Sequence, residues 1–129
     1  MLAHKALVVV ADGHRAVLFR NVAKYGIELE EQERITPQHL QDESQGRQPE
    51  ETTPKEEDEA TFAKQLAERL NRMVLQHEFE ELAIVADPNT LGVMRKHYHK
   101  ALSAILLGEI AKDLTGHSLA DVEKALVAG

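Results

Sequence analysis

The 129-residue sequence contains no cysteine. That one absence excludes disulfides, thiolate metal sites and thiol nucleophiles together, and it agrees with a reducing compartment. Long apolar runs are missing too. Nothing approaches the ~18 apolar residues of a membrane-spanning helix, so no membrane association is expected. The run Ala6–Ala11 is too short for the core of a secretory signal, and a charged turn follows it at once. A cytoplasmic location is the resulting expectation. The sequence also lacks Gly-x-Ser-x-Gly, Walker-type and Rossmann glycine patterns, zinc-ligand spacing and internal repeats. No cofactor is implied. Positive charge is scarce as well: the net charge is −7 with histidine neutral. Broad nonspecific binding to nucleic acid wants the opposite sign. The acid is concentrated in Glu28–Glu33 and Asp42–Glu59, which leaves room for a local basic patch elsewhere.

What remains reads as one α/β domain that binds something, with no self-sufficient active site legible. The apolar share is 43%, and a chain of this length can bury a sufficient core. Lys5–Ala11 is a β-branched apolar run that predicts a buried strand. Asp12-Gly13 signals a hairpin, with the glycine expected at positive φ. Ala16–Asn21 returns as a second strand. Lys24-Tyr25-Gly26 marks another turn, and Ile27–Ile35 alternates as a third, half-exposed strand. From about 37 to 53 the composition changes to proline, glycine, glutamine and acid, which predicts a long mobile acidic loop. Thr53-Pro54-Lys55-Glu56 then opens a helix through a capping box with proline at its first position. Its apolar face is expected to carry Phe62, Leu66, Leu70, Met73 and His77, the last half-buried, with the helix ending near Glu78.

Leu82–Ala86 predicts a central strand parallel to a neighbour. Asp87-Pro88 opens a second helix with Leu91, Met94 and Tyr98 on one face. Leu102–Leu114 has two local readings. Leu102, Ile105 and Leu106 suit a continuing helix, whereas Ile105–Ala111 suits a strand. Ser118-Leu119-Ala120-Asp121 caps a last helix that buries Leu119, Val122 and Leu126. The element order predicts a mixed sheet with helices on its faces, compatible with a ribonuclease H-like layout.

Several segments are familiar in order and spacing. Val8–Ala16 followed by Leu18–Asn21 resembles the opening hairpin of the bacterial family called "protein required for attachment to host cells". Ile84–Pro88 with Leu91-Gly92 and Arg95 resembles that family further on. Glu109-Ile110 leading into Lys112–Thr115 is similar to its C-terminal end. That family in turn resembles the middle domain of archaeo-eukaryotic peptide-chain release factors. The resemblance implies a ribonuclease H-like fold and a strand near Ile105–Ala111. In release factors the loop before the first long helix carries Gly-Gly-Gln, which positions water for peptidyl-tRNA hydrolysis. Here that loop holds Ser44-Gln45-Gly46-Arg47-Gln48, with one glycine and an arginine in the way. Paired glycines give a backbone freedom that one does not, so the release-factor catalytic motif is incomplete.

Three sets of candidate residues follow. Gln45, Gly46, Arg47 and Gln48 form a loop tip suited to RNA or ribosome contact, with Arg47 on phosphate; a solvated linker is the plainer reading. Asp12, Asp87 and Asp113 each follow a strand. Carboxylates gathered at strand ends can hold two divalent ions for phosphoryl chemistry; turn, cap and loop roles are the plainer reading for the three in that order. Arg15, Arg20, Arg95, Lys96 and Lys100 suggest a basic surface, with Arg95, Lys96, His99 and Lys100 on the exposed side of the second helix; an ordinary solvated face is the alternative reading. His97-Tyr98-His99 has the wrong spacing for two helical metal ligands. The expectation is an intracellular accessory protein that contacts RNA or the ribosome. The alternatives are a metal-dependent nuclease and a protein-interaction module that supports attachment indirectly.

Overall fold

Val8, Val9 and Val10 lie between Leu7 and Ala11, and alternate side chains of an extended chain leave on opposite faces. A strand of that composition needs apolar cover on both sides. The computed structural model describes residues 2–38 and 55–128 and supplies that cover. Strands β1 (Leu7–Ala11), β2 (Ala16–Asn21), β3 (Leu29–Ile35), β4 (Leu82–Ala86) and β5 (Leu106–Ala111) form one five-stranded sheet in the order β3-β2-β1-β4-β5. Strands β1 and β2 pair antiparallel, as do β2 and β3, while β4 runs parallel to both β1 and β5. This is the mixed, ribonuclease H-like arrangement expected from the sequence. Every residue of β1 and β4 is buried.

Helices α1 (Lys55–Leu75), α2 (Pro88–Arg95) and α3 (Lys100–Ile105) cover one face. Leu7, Val9 and Ile84 of the sheet meet Phe62, Leu66 and Leu70 of α1 there. Helix α4 (Leu119–Ala128) covers the other face, where Val122 packs with Val8, Val10 and Val85. Residues 39–54 lie outside the described residues. With them go most of the 37–53 segment and its candidates Gln45, Gly46, Arg47 and Gln48, together with the Thr53-Pro54 helix start.

Four expectations are corrected. First, His77 is exposed and lies beyond the end of α1. Its φ is 61, and Glu78 N–H bonds Met73 O at 3.0 Å while His77 N–H bonds Val74 O at 3.0 Å. That is a Schellman closure with histidine in the position that favours glycine. Second, Gly26 has the positive φ of a tight turn, 79, whereas Gly13 does not. A Cβ on Gly13 would lie 2.6 Å from Glu59 Cγ, so close approach of α1 is what demands glycine there. Third, the second helix stops at Arg95. Asn71 of α1 donates to His97 O at 2.8 Å and accepts from His99 N–H at 2.9 Å. A side chain from another element therefore claims backbone groups that a continuing helix would use. Fourth, the ambiguous stretch is both things in turn: α3 from Lys100 to Ile105, then β5 from Leu106.

Asn21 is fully buried and anchors the N-terminal segment. Its amide nitrogen faces the carbonyls of Ala3 at 3.1 Å and Gly26 at 3.0 Å, and its oxygen accepts from Glu28 N–H at 2.9 Å. Asn21→Asp keeps the shape but turns a donor into an acceptor against those carbonyls. Stranding buried polar groups costs about 1–3 kcal/mol, and more for charged ones. Urea unfolding should show Asn21→Asp less stable than the parent by about 2 kcal/mol or more; an unchanged midpoint would refute the anchor role.

Candidate functional site

Parallel strands that end together bring their following loops together, and open α/β sheets bind ligands at that carboxyl end. Here Ala11 pairs with Ala86, and Ala86 with Ala111. Asp12, Asp87 and the Lys112-Asp113 loop therefore emerge side by side. The strands holding Asp12 and Asp87 point the same way, which the sequence had left open. Ile35 at the end of β3 pairs with Ala16 on the same side. The start of α1 arrives there too, because His14 Nε2 lies 2.8 Å from Glu59 Oε2.

Within this end, Asp12 closes the β1–β2 turn. Its Oδ1 accepts from His14 N–H at 2.7 Å and Arg15 N–H at 2.9 Å. The 1→4 backbone contact, Asp12 N–H to Arg15 O at 2.9 Å, completes it. Thr115 joins this turn to the β5–α4 loop. Its hydroxyl oxygen lies 2.7 Å from Asp113 Oδ1 and 3.0 Å from Asp12 Oδ2. A hydroxyl has one hydrogen, so two carboxylates share one donor. Arg15 offsets their charge: its Nε is 3.7 Å from Asp12 Oδ2 and its Nη2 donates to Thr115 Oγ1 at 3.4 Å. The Thr115 hydroxyl bond holds the Asp113 carboxyl below the ordinary aspartate range, with the Thr115 N–H and the Arg15 and His117 charges helping.

Asp87 stands apart from this trio. It caps α2, with Oδ2 accepting from Thr90 N–H at 3.1 Å and Oδ1 from the Thr90 hydroxyl at 2.7 Å. The structure thus gathers Asp12, Asp87 and Asp113 at one end but engages each in local bonds. Among the described residues, no group of three histidines or carboxylates is arranged to hold a metal ion.

The basic candidates are divided, and this corrects the picture of one exposed basic helix face. Arg15 lies on the carboxyl-end rim. Arg95 closes α2 and is paired with Glu109 at 2.7 Å. Lys96 follows that helix and Lys100 opens α3, both exposed. His99 caps α3, its Nδ1 accepting from Ala101 N–H at 2.9 Å. Arg20 donates to Lys5 O at 3.1 Å and Glu78 O at 2.9 Å at the opposite end of the sheet. Tyr98 donates to Glu109 at 3.0 Å, and burial, with the Glu109 charge, pushes its phenol above the usual range. Two site residues escaped the sequence reading. Lys112 is an exposed cation beside Arg15's rim, and its only signal was its place directly after a strand. Thr115 was signalled by Asp-x-Thr, a pattern that favours side-chain-to-backbone turns.

Thr115→Val preserves shape and removes the shared donor. The Asp113 carboxyl should then titrate at higher pH, observable by NMR, and the β1–β2 turn should exchange amide protons faster. A carboxyl held low contributes stability above its unfolded value and loses it as pH falls through the lowered one. The parent's advantage over Thr115→Val should therefore shrink in the acid range below pH ~4. An unmoved Asp113 titration would remove Thr115 as its cause.

A family model described as "Bacterial archaeo-eukaryotic release factor family 12" matches residues 5–126. A 53-residue stretch is 42% identical to "Uncharacterized protein RP470" of Rickettsia prowazekii (strain Madrid E), covering 41% of this chain and 35% of that protein. A solved structure described as "Archaeal protein" is similar at a TM-score of 0.49 and 12% identity, over 95% of this chain and 32% of that one. The chain therefore spans only a minor part of the length of either protein. No helix among the described residues is long and apolar enough to cross a membrane. The release-factor relation seen in the sequence carries over, while the host-attachment name has no counterpart in these matches. From residue 5 to residue 126, the chain belongs to bacterial archaeo-eukaryotic release factor family 12.

Proposed function

We propose that this protein is a translation-related accessory factor that binds RNA or the ribosome through the carboxyl end of its sheet, without performing peptide release. Family membership is the observation that carries this reading. The arrangement of the sheet supports it. β3 ends at that side and α1 begins there, and Arg15 and the exposed Lys112 lie at the same end of the sheet. In this reading Arg47 meets phosphate, the glutamines bond bases or backbone, and Arg15 with Lys112 forms a second phosphate contact. Gly46 without a second glycine beside it argues against the release-factor hydrolytic step. The acid elsewhere keeps nonspecific affinity low.

Co-sedimentation of the tagged protein with ribosomes from gently lysed cells tests the proposal. The parent should comigrate at low salt, and deletion of Gln45–Gln48 should release most of it. Arg15→Ala should weaken comigration uniformly and lower the salt slope by about one. Absence from ribosomal fractions at every salt concentration would overturn the reading. Recovery with a protein partner from nuclease-treated lysate would point instead to an interaction module.

A further inference from the structure

An α-helix with its side chains is about 10 Å across, whereas five strands at their usual spacing span about 19 Å. Among the described residues α4 is the one helix on its face of the sheet, so it leaves part of that face uncovered. Its Val122 sits over Val8, Val10 and Val85 of the central strands. Beside it, over β2 and β3, a cavity of about 310 Å³ remains between the sheet and the loop that leads into α4. Val10, Val17, Phe19 and Leu114 supply its apolar lining, and Arg34 and His117 add two flat polar groups. Each of these has a carboxylate partner of its own. Arg34 holds Glu31 in a fork at 2.8 and 2.9 Å, and His117 Nδ1 lies 3.3 Å from Asp121 Oδ2. The cavity thus offers apolar surface and planar groups for stacking, with its charges balanced.

A further cation stands next to it. Thr115 also lines the cavity, and Arg15 Nη2 donates to Thr115 Oγ1 at 3.4 Å. A Cβ on Gly116 would lie 3.7 Å from the same nitrogen, so the guanidinium rests beside the residue between Thr115 and His117. Asp12 Oδ2 and Asp113 Oδ1 are turned to the Thr115 hydroxyl at 3.0 and 2.7 Å, while the Arg15 side chain stays 53% exposed.

We propose that this cavity holds one unstacked nucleobase, with a phosphate of the same nucleotide on Arg15. The inference rests on the RNA reading above and adds the place where a base is bound. A neutral flat ring with hydrogen-bonding edges matches the cavity, and an anion joined to it through one sugar matches the guanidinium. The volume lies at the small end of ligand pockets, which start at about 300 Å³, so it suits one base and not a stack of them. Single-stranded RNA is recognised in this way, by bases splayed out onto aromatic and guanidinium planes.

Methyl NMR of the full chain, titrated separately with adenosine monophosphate, uridine monophosphate and a short single-stranded RNA, is the test. The Val17, Leu114 and Leu119 methyls line the cavity and should shift under the ring current of the base. The Leu107 methyls, on the β5 edge, should stay put. His117 is exposed, so His117→Ala should fold, as checked by circular dichroism. It should weaken RNA binding about fivefold or more at an unchanged salt slope, whereas Arg15→Ala lowers the slope. RNA that binds with an Arg15-dependent slope but leaves the cavity methyls unmoved would overturn the base pocket and leave the RNA reading standing. Mononucleotides that shift those methyls, with no RNA bound, would uphold the pocket for a free nucleotide and overturn the RNA reading. Unmoved methyls with all three ligands, or a His117→Ala variant that binds like the parent, would overturn the pocket.

Discussion

The constraint behind this structure is that its two central strands are buried on both faces. β1 and β4 have no exposed residue, so neither could sit at an edge or face water. The chain must therefore place β2 outside one strand, β5 outside the other, and helices above and below. Parallel pairing of β1 with β4 requires a crossover, and α1 lies on that crossover. The same pairing aligns the ends of β1, β4 and β5, which is why Asp12, Asp87 and Asp113 emerge together. The location of the candidate site is thus a by-product of packing four valines and their neighbours.

Much of that frame is legible in the amino-acid sequence. Leu82–Ala86 was readable to the residue, because a short apolar run was stopped by an aspartate-proline cap. The face of α1 was equally clear at Phe62, Leu66, Leu70 and Met73, where helical spacing and burial agree. Past Met73 the pattern misled. His77 keeps the spacing, but the chain has already turned into a left-handed conformation. Leu102–Leu114 resisted reading for a different reason. Helix and strand share a continuous apolar stretch there, and local periodicity cannot date the switch between them.

The site was less legible than the fold, since its contacts join residues far apart in sequence. Thr115 touches Asp12 across 103 positions, whereas the local Asp-x-Thr pattern announces only its bonds to Asp113. Arg95 looked like an open cation because its partner Glu109 lies on another element. Gly13 was recognised as a turn glycine, but the packing of Glu59 against it could not be seen. In each case residue type was informative and partner identity was not.

The acid along β3 has one more consequence. Glu31 and Glu33 are held along that edge by Arg34 at 2.8 Å and Arg69 at 2.7 Å, so the flank opposite β5 carries paired charge and not a bare acidic field. Exposed pairs of this kind are screened by salt. The strand thus keeps neighbouring sheets off by the bulk of long, tethered side chains as much as by its charge.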